Sequence, residues 1–313
     1  MKDMHPVIPL VLEYRELRKL LSTYINPIPK MLDQNNRLHA RFIQTGTTTG
    51  RMSSENPNLQ NIPIGSDRGR LIRKAFISPT NKKLVALDYS QIELRIASFL
   101  SKDKKLVDIF KNGKDVHTAV ASEVFKVSES QVTKEMRRQA KVINFGILYG
   151  MGVSALQVNL GTDRKTAQEF LNSYFDNFKE LADYLENVKK EASESGYTKT
   201  FFGRRRYFDG IKSKIPFIKA GAERMAINAP IQGTSADIIK IAMANIDDYL
   251  KREMKANSSN LIMQIHDELI YEVDESFVSD FSKNVKKIME NVIDKKDILG
   301  VPIVANVSVG DLS

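Results

Sequence analysis

Residues 260–273 read NLIMQIHDELIYEV: two short apolar runs on either side of a polar tip, His266-Asp267-Glu268. Runs this short, β-branched or aromatic in part and broken by a polar turn, are the signature of a β-hairpin. Working outward, a second apolar run, KLVALD at 83–88, also ends in an acid, Asp88, and residues 91–100 (QIELRIASFL) then change to helical spacing. Strands 83–88 and 260–273 in one antiparallel sheet would bring Asp88 and Asp267 to a common edge. Between them, residues 103–195 read as helix after helix, with caps at Ser128 and Thr133 ahead of a helix over 134–149. Residues 196–208 (GYTKTFFGRRRYF) read as strand–turn–strand. One helix is expected at 217–228 and another at 235–252, separated by Pro230 and Gly233. A helix at 275–293 and a strand at 301–309 follow the hairpin. On the N-terminal side, Leu10, Tyr14, Leu17, Leu21 and Tyr24 recur at helical spacing, and Asn26-Pro27-Ile28-Pro29 ends that helix. Residues 44–69, rich in Thr, Ser, Asn, Gly and Pro, read as a long loop with short strands, a length usually kept for function. β-rich, all-α, then β-rich predicts an α+β fold, an antiparallel sheet with a helical lobe inserted into it.

Composition narrows the function classes. The chain has 313 residues, 42% of them hydrophobic, enough to bury a substantial core. No apolar run approaches the ~20 residues that span a bilayer, and Met1-Lys2-Asp3-Met4-His5-Pro6 does not resemble a secretory signal. With no cysteine, disulfides and thiolate metal sites are excluded, and four histidines (His5, His39, His117, His266) make a His-rich cage an unpromising idea. The expectation is a non-membrane, cytoplasmic and nucleoid-associated protein, with organelle or phage origin left open. A formal charge of +9 suits a polyanionic partner, although Lys-rich composition also simply keeps proteins soluble. The clusters Arg137-Arg138 and Arg204-Arg205-Arg206 tilt the reading toward nucleic acid.

An aspartate at a strand end also serves as a turn residue or cap, so neither Asp88 nor Asp267 is informative alone. As a pair they offer the hard oxygen ligands that Mg²⁺ prefers. Two such ions roughly 3.5–4 Å apart hold the attacking and leaving oxygens of a phosphoryl transfer. Glu268 adds a further acid. The helix over 134–149 is more specific. Arg137, Lys141, Phe145 and Tyr149 recur every four residues and drift only about 40° per step around the helix. Cations therefore share a face with aromatic rings, where an ordinary amphipathic helix would oppose them. The cations suit a triphosphate and a ring can stack on a base or sugar. Gly146 and Gly150 leave room for close approach beside the rings.

These residues resemble the family A, DNA polymerase I-like enzymes. Asp88-Tyr89-Ser90-Gln91-Ile92-Glu93-Leu94-Arg95 is similar to the family's first catalytic motif, and Arg137 through Gly150 to its nucleotide-binding fingers helix. Gln264-Ile265-His266-Asp267-Glu268-Leu269 is similar to the second catalytic motif. Thr49-Gly50-Arg51-Met52-Ser53-Ser54, continuing through Asn58-Leu59-Gln60-Asn61-Ile62-Pro63, resembles a primer–template minor-groove motif. Ala222 through Thr234 resembles a further DNA-contacting stretch. Five motifs stand in the family's order, and the similarity runs from about residue 8 to 309.

The resemblance implies a right-hand polymerase. Residues 1–25 would be a remnant of a thumb helix, 26–98 and 216–313 an antiparallel-sheet palm, and 99–215 an all-helical fingers lobe. It implies template-directed addition of deoxynucleotides to a primer 3′ end, with two Mg²⁺ ions for which Mn²⁺ could substitute. Asp88, Asp267 and the backbone carbonyl of Tyr89 would be the metal ligands, with Glu268 beside them. Arg137, Lys141 and His117 would bind the triphosphate, Lys141 also protonating the leaving pyrophosphate. Phe145 would pack on the sugar and Tyr149 beside the templating base, while Glu93, with Gln91 near it, would bar a ribose 2′-hydroxyl. Arg51, Asn228 and Gln232 would probe minor-groove acceptors shared by all correct pairs. Asn58, Gln60, Asn61, Arg224, His266, Arg206 and Lys19 would also lie along the duplex, and Arg15 could touch its backbone.

The sequence departs from the family pattern at its ends. Only the last thumb helix is expected here, which implies low processivity, or a separate thumb, exonuclease or processivity partner. The C-terminal Val309-Gly310-Asp311-Leu312-Ser313 lacks the usual aromatic, and Ala40 and Gly46 are smaller than expected. Glu93 argues against a single-subunit RNA polymerase, and Asp267-Glu268 against the paired aspartates of a reverse transcriptase. Intact Asp88, Asp267, Arg137 and Lys141 argue against a non-catalytic DNA-binding remnant.

Overall fold

The computed structural model describes residues 5–63, 67–253 and 258–310. The readings of Met1–Met4 and Asp311–Ser313 therefore fall outside the described residues. The fold mixes helices with antiparallel sheet, and the chain divides into two compact units. One unit comprises Met1–Asp88, Tyr249–Asn284 and Val307–Ser313; the other comprises Tyr89–Asp248 and Val285–Asn306.

The first unit is built on a four-stranded sheet. Its strands are β3 (Lys82–Tyr89), β6 (Ser259–Ile265), β7 (Glu268–Asp274) and β8 (Ala305–Gly310), in the order β6-β7-β3-β8. The hairpin expected over 260–273 is β6–β7, closed by His266 and Asp267. β7 lies inside the sheet, and Leu269 through Val273 are buried without a break, including Glu272. A strand covered on both faces has no solvent side to keep polar, which explains its largely apolar run; the exception, Glu272, pairs with Arg37 at 3.1 Å. One face packs Met263 and Ile270 against Leu20, Tyr24, Leu59 and Ile62. Phe281 meets the Tyr271 ring at 5.0 Å between centroids.

The N-terminal helix α1 (Val7–Leu20) is followed by a wider π-helical turn, Leu21–Ile25. There Tyr24 is buried and its hydroxyl donates to the Asn61 carbonyl at 2.5 Å. The rest of the expected apolar stripe, Leu10, Tyr14, Leu17 and Leu21, is exposed. The described residues of 44–69 are mostly loop, as expected, with the strand β2 (Ser53–Glu55) paired to β1 (Arg41–Ile43), a 3₁₀ turn at Leu59–Asn61 and the start of α2 (Asp67–Arg73).

The second unit is helical: α3 (Ile92–Ser101), α4 (Lys104–Lys111), α5 (Val116–Phe125), α6 (Lys134–Leu148), α7 (Val153–Leu160), α8 (Arg164–Asn177) and α9 (Lys179–Ser195). Asp103, Asp115, Thr133 and Asp163 each cap a helix by accepting a backbone N–H from three residues on. Ser128 caps a 3₁₀ turn instead. The strand–turn–strand at 196–208 is the ribbon β4 (Tyr197–Lys199) with β5 (Arg205–Tyr207).

Three expected boundaries are corrected. The helices read at 217–228 and 235–252 are one, α10 (Pro216–Glu253), with Pro230 inside it. A proline removes one helical N–H and crowds the preceding turn, yet the helix continues, and the turn that follows the proline is held from outside the helix. Thr234 Oγ1 donates to the Pro230 carbonyl at 2.6 Å and accepts from Phe201 N at 2.9 Å, while Arg204 Nη2 donates to the Gly233 carbonyl at 3.1 Å. The helix expected at 275–293 is α11 (Val278–Glu290), entered by a 3₁₀ turn, and the last strand starts at Ala305. Among the described residues no helix is long and apolar enough to cross a membrane.

Candidate active site

In the first unit, β3 and β7 run antiparallel in a register that sets Asp88 opposite Glu268. Asp267 is the neighbouring residue at the hairpin tip, so the partner strand of β3 begins one residue past the expected acid. The Asp88 carboxyl is pushed up to about 6, first by partial desolvation, then by the charges of Glu268 and Asp267. Glu268 is also raised by desolvation, against an opposing pull from Arg73. Asp88 nonetheless remains open to solvent. Crowded acids that still face water form a cluster that a hard cation would relieve. The donor set thus fits divalent metal, although among the described residues no group of three or more His, Asp or Glu side chains is close enough to hold an ion alone.

The tip is unusual in composition. Two-residue hairpin turns favour Asn-Gly or Gly-X, where a positive φ is cheap. His266 holds φ 55° with a full side chain, a conformation uncommon outside glycine. Gln264 Nε2 donates to the His266 carbonyl at 2.5 Å, and Gln60 Nε2 donates to the Gln264 carbonyl and Oε1, both at 3.1 Å. Asn58 caps the 3₁₀ turn at 59–61 by accepting from Gln60 N. Gln60 therefore fastens the 58–61 loop to the hairpin, and Asn58 holds the turn that carries Gln60. Arg51 Nη2 lies 3.9 Å from Asp267 Oδ1, the outer limit of an ion pair. Desolvation, then the Arg51 charge, holds the His266 imidazole below its usual range. Lys19 and Asn61 are exposed.

In the second unit, α6 has the two faces that its sequence implies. Ala140, Ile143, Asn144, Ile147 and Leu148 are buried, while Arg137, Lys141 and Tyr149 are exposed and Phe145 is half-buried. The glycines act differently from the expectation. A Cβ on Gly146 would sit 2.9 Å from Met151 Sδ, and Gly150, at φ 66°, backs onto Arg224. The protein itself fills the space beside the rings.

His117, at the start of α5, is buried. Its Nδ1 bonds Asn144 Nδ2 at 3.1 Å, and its ring lies 5.8 Å from that of Phe145. With Nδ1 accepting, the proton is assigned to Nε2, which becomes the available donor. Burial holds the imidazole down to about 4, below its ordinary 6.5, so it is neutral at pH 7. A group lowered on folding contributes stability that is complete above the unfolded value and is lost as pH falls from 6.5 toward 4. The expected outcome is that His117→Gln flattens the decline of Tm in this window relative to the parent chain. Parallel Tm profiles would contradict the assignment.

Glu93 is also buried, and the Tyr149 hydroxyl donates to its Oε2 at 2.9 Å. Arg95 anchors the start of α3, donating from Nε to the Ser90 carbonyl at 2.8 Å and from Nη1 to the Pro302 carbonyl at 2.7 Å, with its guanidinium 4.7 Å over Phe110. Arg95 stands in the first catalytic motif without an expected role, and no local pattern signals a partner 207 positions away. Gln91, at φ 52°, starts α3 without a capping bond, and Tyr89 donates its hydroxyl to the Met289 carbonyl.

The basic triplet divides. Arg204 is engaged with Asp237 (2.7 Å), Arg206 is half-buried with its guanidinium 5.2 Å over Phe208, and Arg205 lies over Tyr197. On α10, Asn228 Nδ2 is 3.4 Å from Gln232 Oε1, and buried Asn228 Oδ1 has no hydrogen-bond partner.

The family model described as DNA polymerase family A matches residues 1–312. The chain is 44% identical over 311 residues to the thermostable DNA polymerase I of Thermus filiformis, covering 99% of this chain and 36% of that protein. It is 42% identical over 302 residues to DNA polymerase I of Pseudomonas aeruginosa, covering 96% of this chain and 32% of that one. Among solved structures, it is similar to the POL domain of Pol1 from M. smegmatis in complex with DNA primer-template and dNTP. The TM-score there is 0.92 at 39% identity, over 99% of this chain and 54% of that chain. The chain therefore spans about a third of the length of the curated relatives it matches.

Proposed function

The chain belongs to DNA polymerase family A, and from that membership we propose that it adds deoxynucleotides to a primer 3′ end under template direction. The observation that carries the reading is the Asp88–Glu268 register beside Asp267, which gathers three acids at one end of a β-hairpin. In the reaction the primer 3′ oxygen bonds to the α-phosphorus of the nucleotide, the bond to the β-phosphate bridging oxygen breaks, and pyrophosphate leaves. Asp88 and Asp267, with the Tyr89 carbonyl, would hold two divalent ions, Mg²⁺ or Mn²⁺. Such ions acidify the attacking hydroxyl and neutralise charge on the phosphates. Glu268 tunes the carboxylate pair from the opposite strand.

The nucleotide's triphosphate is assigned to Arg137, Lys141 and the Nε2–H of His117, with the Lys141 ammonium giving a proton to the leaving pyrophosphate. A neutral imidazole serves here as a hydrogen-bond donor and adds no positive charge. Phe145 takes the sugar, Tyr149 the templating base, and Glu93 the space that a 2′-hydroxyl would need. Arg51 and His266 in the first unit, and Arg224, Asn228, Gln232 and Arg206 in the second, are assigned to the duplex. Asn228 and Gln232 would offer their amide N–H groups to the minor-groove acceptors that all correct pairs share. In this reading the fingers are residues 99–215, all within the helical unit, which also takes in the palm residues 89–98, 216–248 and 285–306.

Primer extension across a salt series tests the proposal. Grip through Lys and Arg releases counterions, so two or three phosphate contacts already predict roughly ten- to fortyfold weaker binding from about 50 to 200 mM salt. Extension confined to low salt, with few nucleotides added per binding event, is the expected result. Extension insensitive to salt would refute the electrostatic grip.

A further inference from the structure

Arg137 is not loose on the face of α6. Its Nε donates to Asp115 Oδ1 at 3.1 Å and its Nη2 to Asp115 Oδ2 at 2.8 Å, a two-point clasp. Asp115 is also the N-cap of α5, its Oδ1 accepting from Thr118 N at 2.7 Å. One carboxylate therefore ties the start of the helix that carries His117 to the start of the helix that carries Arg137 and Lys141. A guanidinium presents five N–H groups on more than one edge. The clasp occupies the Nε/Nη2 edge and leaves the terminal Nη1/Nη2 edge to bind an anion.

We infer that Asp115 is a positioning residue for nucleotide binding: it holds Arg137 by one edge so that the other is aimed, pre-oriented, at the triphosphate. The inference rests on the reading of Arg137 as a triphosphate ligand. Arg and Asp fit each other bidentately, and a side chain already fixed loses less rotamer freedom when a second anion binds. Burial works against the Asp115 charge, but hydrogen bonds from Arg137 and Thr118 and the Arg137 charge outweigh it. They hold the carboxyl down to about 2, so the clasp is ionised across the working pH range. Both partners are partly exposed, which limits the effect to a modest factor in affinity.

The test is calorimetric titration of Mg²⁺–dNTP into the chain bound to a primer-template that ends in a dideoxynucleotide, so that no turnover intervenes. The variants are Asp115→Asn, which keeps a good N-cap but weakens the clasp, Arg137→Ala, and the two combined. Asp115→Asn is expected to weaken nucleotide binding roughly three- to fivefold. In the Arg137→Ala background the same change should do nothing, because the residue acts through Arg137. A helix cap alone would show equal effects in both backgrounds, and that result overturns the inference. Tighter binding by Asp115→Asn also overturns it, since the carboxylate would then be competing with the triphosphate. If the parent complex binds no nucleotide, it is the polymerase reading that fails. Binding that is intact in the parent and unchanged in Asp115→Asn sinks the positioning role by itself.

Discussion

Asp88→Ala and Asp267→Ala are each expected to reduce primer extension by at least roughly 10³-fold, about 4 kcal/mol of transition-state stabilisation, while DNA binding stays within about threefold of the parent. The reason lies in the hairpin register. Asp88 faces Glu268 and adjoins Asp267, and its carboxyl is pushed up to about 6 by partial desolvation and by those two charges. A carboxyl raised on folding weakens the folded state once it ionises, so at pH 7 Asp88 works against stability. Removing it should leave Tm unchanged or slightly higher, even as activity disappears. Loss of activity with a matching drop in Tm would instead mark Asp88 as structural. Extension near the parent rate by either variant would refute the metal assignment. DNA binding is measured in the same preparations, because a catalytic acid and a DNA contact fail in different assays.

Glu93→Ala is expected to erode discrimination against ribonucleotides by roughly 10²-fold, about 2.7 kcal/mol. Glu93 is buried on the first turn of α3, held from one side by the Tyr149 hydroxyl at 2.9 Å. Alanine removes the bulk that would meet a 2′-hydroxyl and leaves Tyr149 without this acceptor. Glu93→Gln keeps the size and an oxygen to accept from Tyr149, so it should retain most of the selectivity. Tyr149→Phe, which removes only the hydrogen bond, should fall between the two. Ratios of kcat/KM for a matched dNTP and rNTP decide the matter. An unchanged ratio in Glu93→Ala would remove the gate from the mechanism.

How much of this was legible in the sequence depends on the range of the interaction. The β6–β7 hairpin was legible because two short apolar runs about a polar tip are a local signal, and the face of α6 because a four-residue spacing is a helical one. The register that sets Asp88 opposite Glu268 was only half legible. Two strands ending in acids suggest a shared edge, but no local pattern says which residue pairs with which. Pro230 misled for a related reason. Proline usually marks a boundary, but the turn that follows this one is held by bonds from Phe201 and Arg204, some thirty positions earlier. The Tyr149–Glu93 bond and the Arg137–Asp115 clasp join residues 56 and 22 positions apart. Periodicity carries no information about such pairs. Gly146 and Gly150 were read as openings, whereas Met151 and Arg224 pack there. The stripe on α1 was read correctly as helical, but the exposure of Leu10 and Tyr14 is set by tertiary context alone.

The central claim is that this chain performs templated nucleotidyl transfer through the Asp88–Asp267 acids, and single-nucleotide incorporation tests it most directly. The chain is held in excess over a primed template at low salt with Mg²⁺, and each dNTP is offered alone against each of the four template bases. The expected result is addition of the complementary nucleotide in every case, lost in Asp88→Ala. No added nucleotide at high enzyme concentration, or addition that ignores the template base, would contradict it.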